Sequence, residues 1–322
     1  MNTAMQFSLR RIVAATLLFA LGLTLASAAR AADSHPLPLW KVGNGQGQHL
    51  YLAGSMHALS RADYPLPEAF KQAFKQSNLL IEEINLNVIS PGEVKKAIQS
   101  FAVLPEGNTL ADAMGEGWDK AQKLAGKDGV DLAPYEHYKP WFAAFRISAK
   151  QFREQGYVPS LGLDFHFAGL AQQRDMPIIG LETISEQLSF FNSLDIETQR
   201  HFLLQTLEGL SKLRDELMRL HAAWRVGNLE ELSAIAQSDF AKYPDLRTEL
   251  LEKRNRGWMP TLERCFRNGK TCFVVVGAEH MAGEYGLIAL LREDGYRVEQ
   301  LTTTSYTVPA PATAPPAKTS AE

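Results

Sequence analysis

Short apolar runs alternate along this chain with longer stretches in which apolar side chains recur every three or four positions. That is the pattern of strands alternating with amphipathic helices. Residues 50–53, Leu-Tyr-Leu-Ala, predict a short buried strand ending at Gly54. Behind Pro65-Leu66-Pro67, residues 68–76 place Ala69, Phe70, Ala73 and Phe74 on one face of a helix. Residues 79–84 are apolar again and turn acidic at Glu82 and Glu83. Strand, helix and strand at this spacing predict a βαβ unit with parallel strands.

The middle of the chain reads as mostly helical, with breaks at Pro91-Gly92, Pro105-Glu106-Gly107 and Pro140. Leu163, Phe167, Leu170 and Ala171 mark an amphipathic helix, for which Asp164 is read as the cap. The turn Arg174-Asp175-Met176-Pro177 leads into a strand at 178–181 that ends beside Glu182. From Ile196 to about Arg256 the pattern is helical, and Leu203, Leu207, Leu210, Leu217 and Leu220 form an apolar stripe that predicts core and no chemistry. A strand at 273–276, a helix over about 285–293 and a strand at 295–298 predict a second βαβ unit.

The two ends carry different signals. Arg10 and Arg11 precede an uncharged apolar run from Ile12 to Leu25, followed by Ala26-Ser27-Ala28 and Ala29-Arg30-Ala31, both of the small-x-small form of a cleavage site. As a helix such a run would span only about 21 Å against a hydrocarbon core of roughly 30 Å, so residues 1–31 predict a cleavable export signal and a periplasmic or secreted protein. Cleavage removes three arginines and no acid, taking the formal charge from −3 to −6. A mildly acidic chain without a basic cluster argues against nucleic acid or an anionic membrane surface as partner, and no later segment is long and apolar enough to predict stable membrane insertion after cleavage. Residues 308–322 are mostly Pro, Ala and Thr without apolar periodicity and predict a disordered tail. Cys265 and Cys272 bracket an Asn-Gly turn signal, and an oxidising compartment lets them form a small structural disulfide.

One feature occurs twice. Gly54-Ser55-Met56-His57 follows the first of these strands and Gly277-Ala278-Glu279-His280 follows the strand at 273–276, each a Gly-x-x-His at a strand's carboxyl end. The glycines, Gly54 and Gly277, permit a sharp exit, and the histidines then stand at the rim where parallel sheets place their ligands. A nearby helix N-terminus would hold such a ring neutral, as a metal ligand or general base requires. Glu83 and Glu182 fall at strand ends on the same rim. Glu82 points to the face opposite Glu83, so at most one of that pair joins a site.

These motifs carry a resemblance. The run from Leu50 to His57 stands where the TraB/GumN family has Gly-Thr-x-His, and residues 80–85 match its hydrophobic–Glu–hydrophobic pattern, with Glu83 as the family glutamate and Asn85 in place of the usual Asp. Residues 162–165, residues 177–183, Arg254-Asn255 and the block from Val276 to Leu287 follow in order, closing with Gly295-Tyr296. The chain is thus similar to TraB/GumN proteins, relatives of the Tiki metalloproteases and more loosely of erythromycin-esterase-like and haem-binding ChaN-like proteins.

The resemblance implies a three-layer α/β fold over 32–307, with a mostly parallel central sheet from two similar halves and a helical insertion at about 186–256. It implies a divalent-metal-dependent, peptidase-like hydrolase using both Gly-x-x-His motifs and a glutamate, so that His57, Glu83 and His280 hold the metal. That ligand set suits Mn, Co or Zn. Arg254 is read as stabilising an oxyanion and Asn255 as orienting a ligand, against an ordinary buried salt bridge or cap. The substrate would be a peptide or small molecule. Two alternatives use the same cleft: a binding or regulatory protein that holds a peptide or haem without turnover, and a metal-free esterase-like hydrolase with His57 as general base.

Overall fold

A computed structural model describes residues 34–240 and 247–303; the expected export signal and tail lie outside the described residues. Six strands form one mixed sheet: β1 (His35–Gly43), β2 (His49–Ser55), β3 (Leu79–Ile84), β4 (Ile178–Glu182), β5 (Cys272–Gly277) and β6 (Arg297–Thr303), in the order β4-β3-β5-β2-β1-β6. β5 runs parallel to both β2 and β3, and β4 parallel to β3. β1 is antiparallel to its neighbours β2 and β6. The first expected βαβ unit is present, but β5 lies between its two strands. In the second, β6 crosses to the far edge and pairs with β1.

Twelve helices are described: α1 (Glu68–Lys75), α2 (Pro91–Phe101), α3 (Leu110–Met114), α4 (Trp118–Lys127), α5 (Pro140–Glu154), α6 (Leu163–Gln173), α7 (Ile184–Asn192), α8 (Ile196–Gly209), α9 (Leu213–Arg225), α10 (Leu229–Phe240), α11 (Lys253–Arg267) and α12 (Leu287–Glu293). Pro91 and Pro140 open α2 and α5 at their first positions, where the missing N–H costs nothing. Ser90 and Thr183 start α2 and α7 with reciprocal capping boxes to Glu93 and Glu186. The N-cap of α6 is Gly162. Asp164 is therefore not the cap it was read as, because its side chain is already engaged by Ser55 and His57.

Alternation along the strands divides the core between the two sheet faces. Leu39, Tyr51, Ala53, Leu80, Phe273 and Val275 pack against α1, α6, α9 and α10. Trp40, Val42, Leu50, Leu52, Ile81, Val274 and Val276 pack against α11 and α12. The result is a three-layer α/β fold. A separate cluster joins helices of the 91–154 segment to Leu203 and Leu207 of α8. The stripe read through Leu203–Leu220 is broken by a 3-10 turn at Leu210–Lys212, so Leu220 packs on the sheet instead.

The Cys265–Cys272 disulfide ties the last turn of α11 to the first residue of β5 across Gly269, which has φ +62°. No helix among the described residues is long and apolar enough to cross a membrane.

Candidate active site

Four parallel strands deliver their carboxyl ends to one rim. β2, β5 and β3 are neighbours, and each contributes one of the residues singled out by pattern. His57 stands two residues past β2, His280 sits in the 3-10 turn Ala278–Met281 directly after β5, and Glu83 is the penultimate residue of β3. β4 adds Glu182 as its last residue. β5 is central, so Glu83 and His57 flank the His280 strand on either side.

The three side chains meet. Glu83 Oε1 lies 3.6 Å from His57 Nε2 and 4.0 Å from His280 Nε2. The same oxygen accepts the backbone N–H of Gly277 at 2.7 Å. Gly277 is required here for space rather than for a sharp exit, since its φ is −49°. A Cβ at Gly277 would stand 3.1 Å from His57 Nε2 and 3.3 Å from Glu83 Oε1. Gly54 plays a packing role, with a hypothetical Cβ 3.3 Å from the Ala278 backbone. Its carbonyl accepts Trp224 Nε1 of α9 at 2.7 Å, which pins the end of β2.

Each imidazole is fixed through its other nitrogen. Asp164 Oδ2 accepts from His57 Nδ1 at 3.0 Å and from Ser55 Oγ at 2.6 Å. Asn255 Oδ1 accepts from His280 Nδ1 at 2.7 Å, and the amide cannot be reversed without losing the bond from Asn255 Nδ2 to the Tyr285 carbonyl at 2.8 Å. Both rings thus carry the proton on Nδ1 and turn Nε2 toward Glu83. Asn255, expected to orient a ligand, positions the His280 ring.

Arg254 closes the inner wall. Its Nε and Nη2 fork onto Glu182 at 2.8 Å each, while Nη2 also reaches Glu83 Oε2 at 2.7 Å. Nη1 donates to the Leu250 carbonyl at 3.0 Å and to His280 Nε2 at 3.1 Å. Gln187 Nε2 bridges Glu83 and Glu182 at 3.1 Å each, and Trp258 Nε1 donates to Glu182 at 3.0 Å.

Burial and charge set the protonation states. Burial pushes His280 down to about 3; Glu83 opposes this, and Arg254 and His57 reinforce it, so the ring is neutral. Burial works against the Glu83 carboxylate, but His280, His57, Arg254 and the Gly277 N–H more than offset it and hold the group at about 2. His57 is raised, chiefly by Asp164 and against its own desolvation, with Glu83 and Glu279 adding to the effect. Its side chain is 62 % exposed, so water screens part of that attraction. The two histidines therefore differ, contrary to the sequence expectation of two neutral rings at helix termini. His57 sits in an open bend beside a carboxylate, and His280 is buried.

Glu82 behaves as the alternation requires, on the face away from Glu83, but it is not a solvated bystander. It is 1 % exposed and neither carboxyl oxygen has a hydrogen-bond partner. Burial pushes it up to about 9, and Asp164 adds to the shift.

Asp164 is the member of this cluster that pattern reading misassigned. The signal that pointed to it was its place in the Gly162–Phe165 block shared with the family. The profile of the TraB/PrgY/gumN family matches residues 38–300. The chain belongs to that family. The match takes in His57, Glu83, Asp164, Glu182, Arg254, Asn255 and His280. No curated protein and no solved structure matched the chain.

Proposed function

We propose that this TraB/PrgY/gumN protein is an exported, divalent-metal-dependent hydrolase with peptidase-like chemistry. The observation that carries the reading is the convergence of His57 Nε2 and His280 Nε2 on Glu83 Oε1, each ring locked through Nδ1 by a second-layer acceptor. Metal-binding histidines characteristically donate their other N–H to such an acceptor. Ligand atoms about 2.1 Å from one ion stand roughly 3–3.5 Å apart. These three groups, separated by 3.6 and 4.0 Å, would have to draw together around an ion; as they stand, no three such side chains among the described residues are arranged to hold one. A side chain at position 277 would crowd the same three groups, which glycine leaves unobstructed. Two imidazoles and a carboxylate suit Mn, Co or Zn.

A divalent ion here would supply Lewis acidity and lower the pKa of water toward neutrality. The chain's own residues supply the rest. Glu83 and His280 form a buried floor, and His57 is the exposed member, so a peptide or small-molecule substrate approaches over its ring. Asp164 holds Nδ1 and so turns Nε2 of His57 toward Glu83, where it would face the ion. Arg254 commits its other N–H groups to Glu182, Glu83 and the Leu250 carbonyl, so only the Nη1 N–H that now meets His280 would be left to face negative charge developing on a carbonyl oxygen during addition. The disulfide suits an oxidising compartment, in keeping with the export signal read in residues 1–31.

A metal-free hydrolase is the second reading, favoured by one contact. Arg254 Nη1 satisfies His280 Nε2 with no ion needed, leaving His57 with Asp164 as a base. Turnover of peptide and ester libraries by the purified mature protein, before and after chelation and after adding back each metal, separates the two. Activity lost on chelation and restored by one metal supports the first reading. Activity indifferent to chelation supports the second, and no turnover under any condition favours a binding protein.

A further inference from the structure

His280 Nε2 has one lone pair, and the structure shows what occupies it. Asn255 holds the proton on Nδ1, so Nε2 is an acceptor only, and Arg254 Nη1 donates to it at 3.1 Å. A single in-plane lone pair cannot serve a guanidinium N–H and a metal ion together. The rest of Arg254 is held independently of His280. Nε and Nη2 fork onto Glu182, Nη2 reaches Glu83 Oε2, and Nη1 keeps the Leu250 carbonyl. Its guanidinium also stacks near Trp258, 4.8 Å from the ring centroid. Releasing His280 therefore removes one bond from Arg254 and leaves five contacts in place.

We propose that Arg254 is a built-in competitor for the metal, holding the third ligand position of His57, Glu83 and His280 closed until an ion displaces its N–H from His280 Nε2. The proposal rests on the metal reading of the site. Glu182 sets the strength of the competition, because its bidentate bond aims the guanidinium at His280. A fixed cation in the wall also raises the energy of a second positive charge beside it.

The test is calorimetric titration of Mn²⁺, Co²⁺ and Zn²⁺ into the metal-free mature protein and two variants. Arg254→Met removes the competitor. Arg254→Gln combined with Glu182→Gln removes it without changing net charge and without leaving Glu182 buried and unpaired. Circular dichroism confirms that each variant folds, and the double variant serves if the single one does not. Both should bind at least one of the metals tenfold or more tightly than wild type. Adding His280→Ala to either should abolish that gain. Equal or weaker binding by a folded variant overturns the competition while leaving the metal reading intact. If neither wild type nor variants bind any of the three metals, the metal reading fails and takes this inference with it.

Discussion

Asp164 and His57, 107 residues apart in the chain, share a hydrogen bond of 3.0 Å, and the same carboxylate oxygen also accepts from Ser55. The first Gly-x-x-His motif is thus a three-residue device in space: a hydroxyl and an imidazole from one strand end, joined by a carboxylate from the start of α6. The bond makes Nε2 the free nitrogen and raises the affinity of His57 for a proton.

Replacing Asp164 with Ala should therefore lower the His57 pKa toward 6.5 and weaken metal affinity by about 10- to 100-fold. Nuclear magnetic resonance titration of the His57 ring in metal-free protein checks the first effect, and calorimetry the second. An unchanged His57 titration in a folded Asp164→Ala protein would show that the carboxylate does not govern this ring.

Glu82 sets a pH dependence of stability. Its folded-state pKa of about 9 stands above the unfolded value of 4.5. Below pH 4.5 both states hold the proton. Above it the unfolded chain ionises first, so this group lowers stability as pH rises from 4.5 toward 9, by at most about 1.4 kcal/mol per pH unit. Glu82→Gln should flatten that slope and be more stable than wild type at pH 8. Parallel slopes in urea unfolding of the two proteins between pH 5 and 8 would contradict this.

How far the sequence spoke for itself varies by residue. The apolar runs of β2, β3 and β5 are buried from end to end, so pattern alone located them, and alternation placed Glu82 and Glu83 on opposite faces. β1 was missed because Pro36 and Pro38 interrupt its pattern and a register shift divides its pairing with β6. Sheet order was not legible, since nothing local says that β5 inserts between β2 and β3. That insertion is what brings Glu83, His280 and His57 together. Asp164 was misread because an acid at the start of a helix has an ordinary local explanation. Arg254 was legible as a motif residue, whereas its bond to His280 follows only from packing.

The bridge between Cys265 and Cys272 closes a loop of eight residues and should contribute up to about 2.5 kcal/mol through the unfolded state. Denatured, unreduced mature protein should show no labelled thiol, and a Cys265→Ser/Cys272→Ser variant should unfold at lower denaturant. Two reactive thiols in the unreduced protein would contradict the bridge.

Export predicts a mature N-terminus between Ala29 and Asp33. Intact mass of the protein recovered from outside the cytoplasm measures it, and a mass that still includes Met1 would rule out cleavage.

The central claim is that His57, Glu83 and His280 act as one ligand set. Metal content after equilibrium dialysis tests it most directly, in wild type and in His57→Ala, Glu83→Gln and His280→Ala. Wild type should hold one equivalent of Mn, Co or Zn. Each variant should hold almost none, with far-UV dichroism near that of wild type, because the apolar clusters that hold the helices to the sheet do not include these three side chains. Stoichiometric metal retained by both histidine variants would contradict the claim, as would a wild-type protein that takes up none of the three metals.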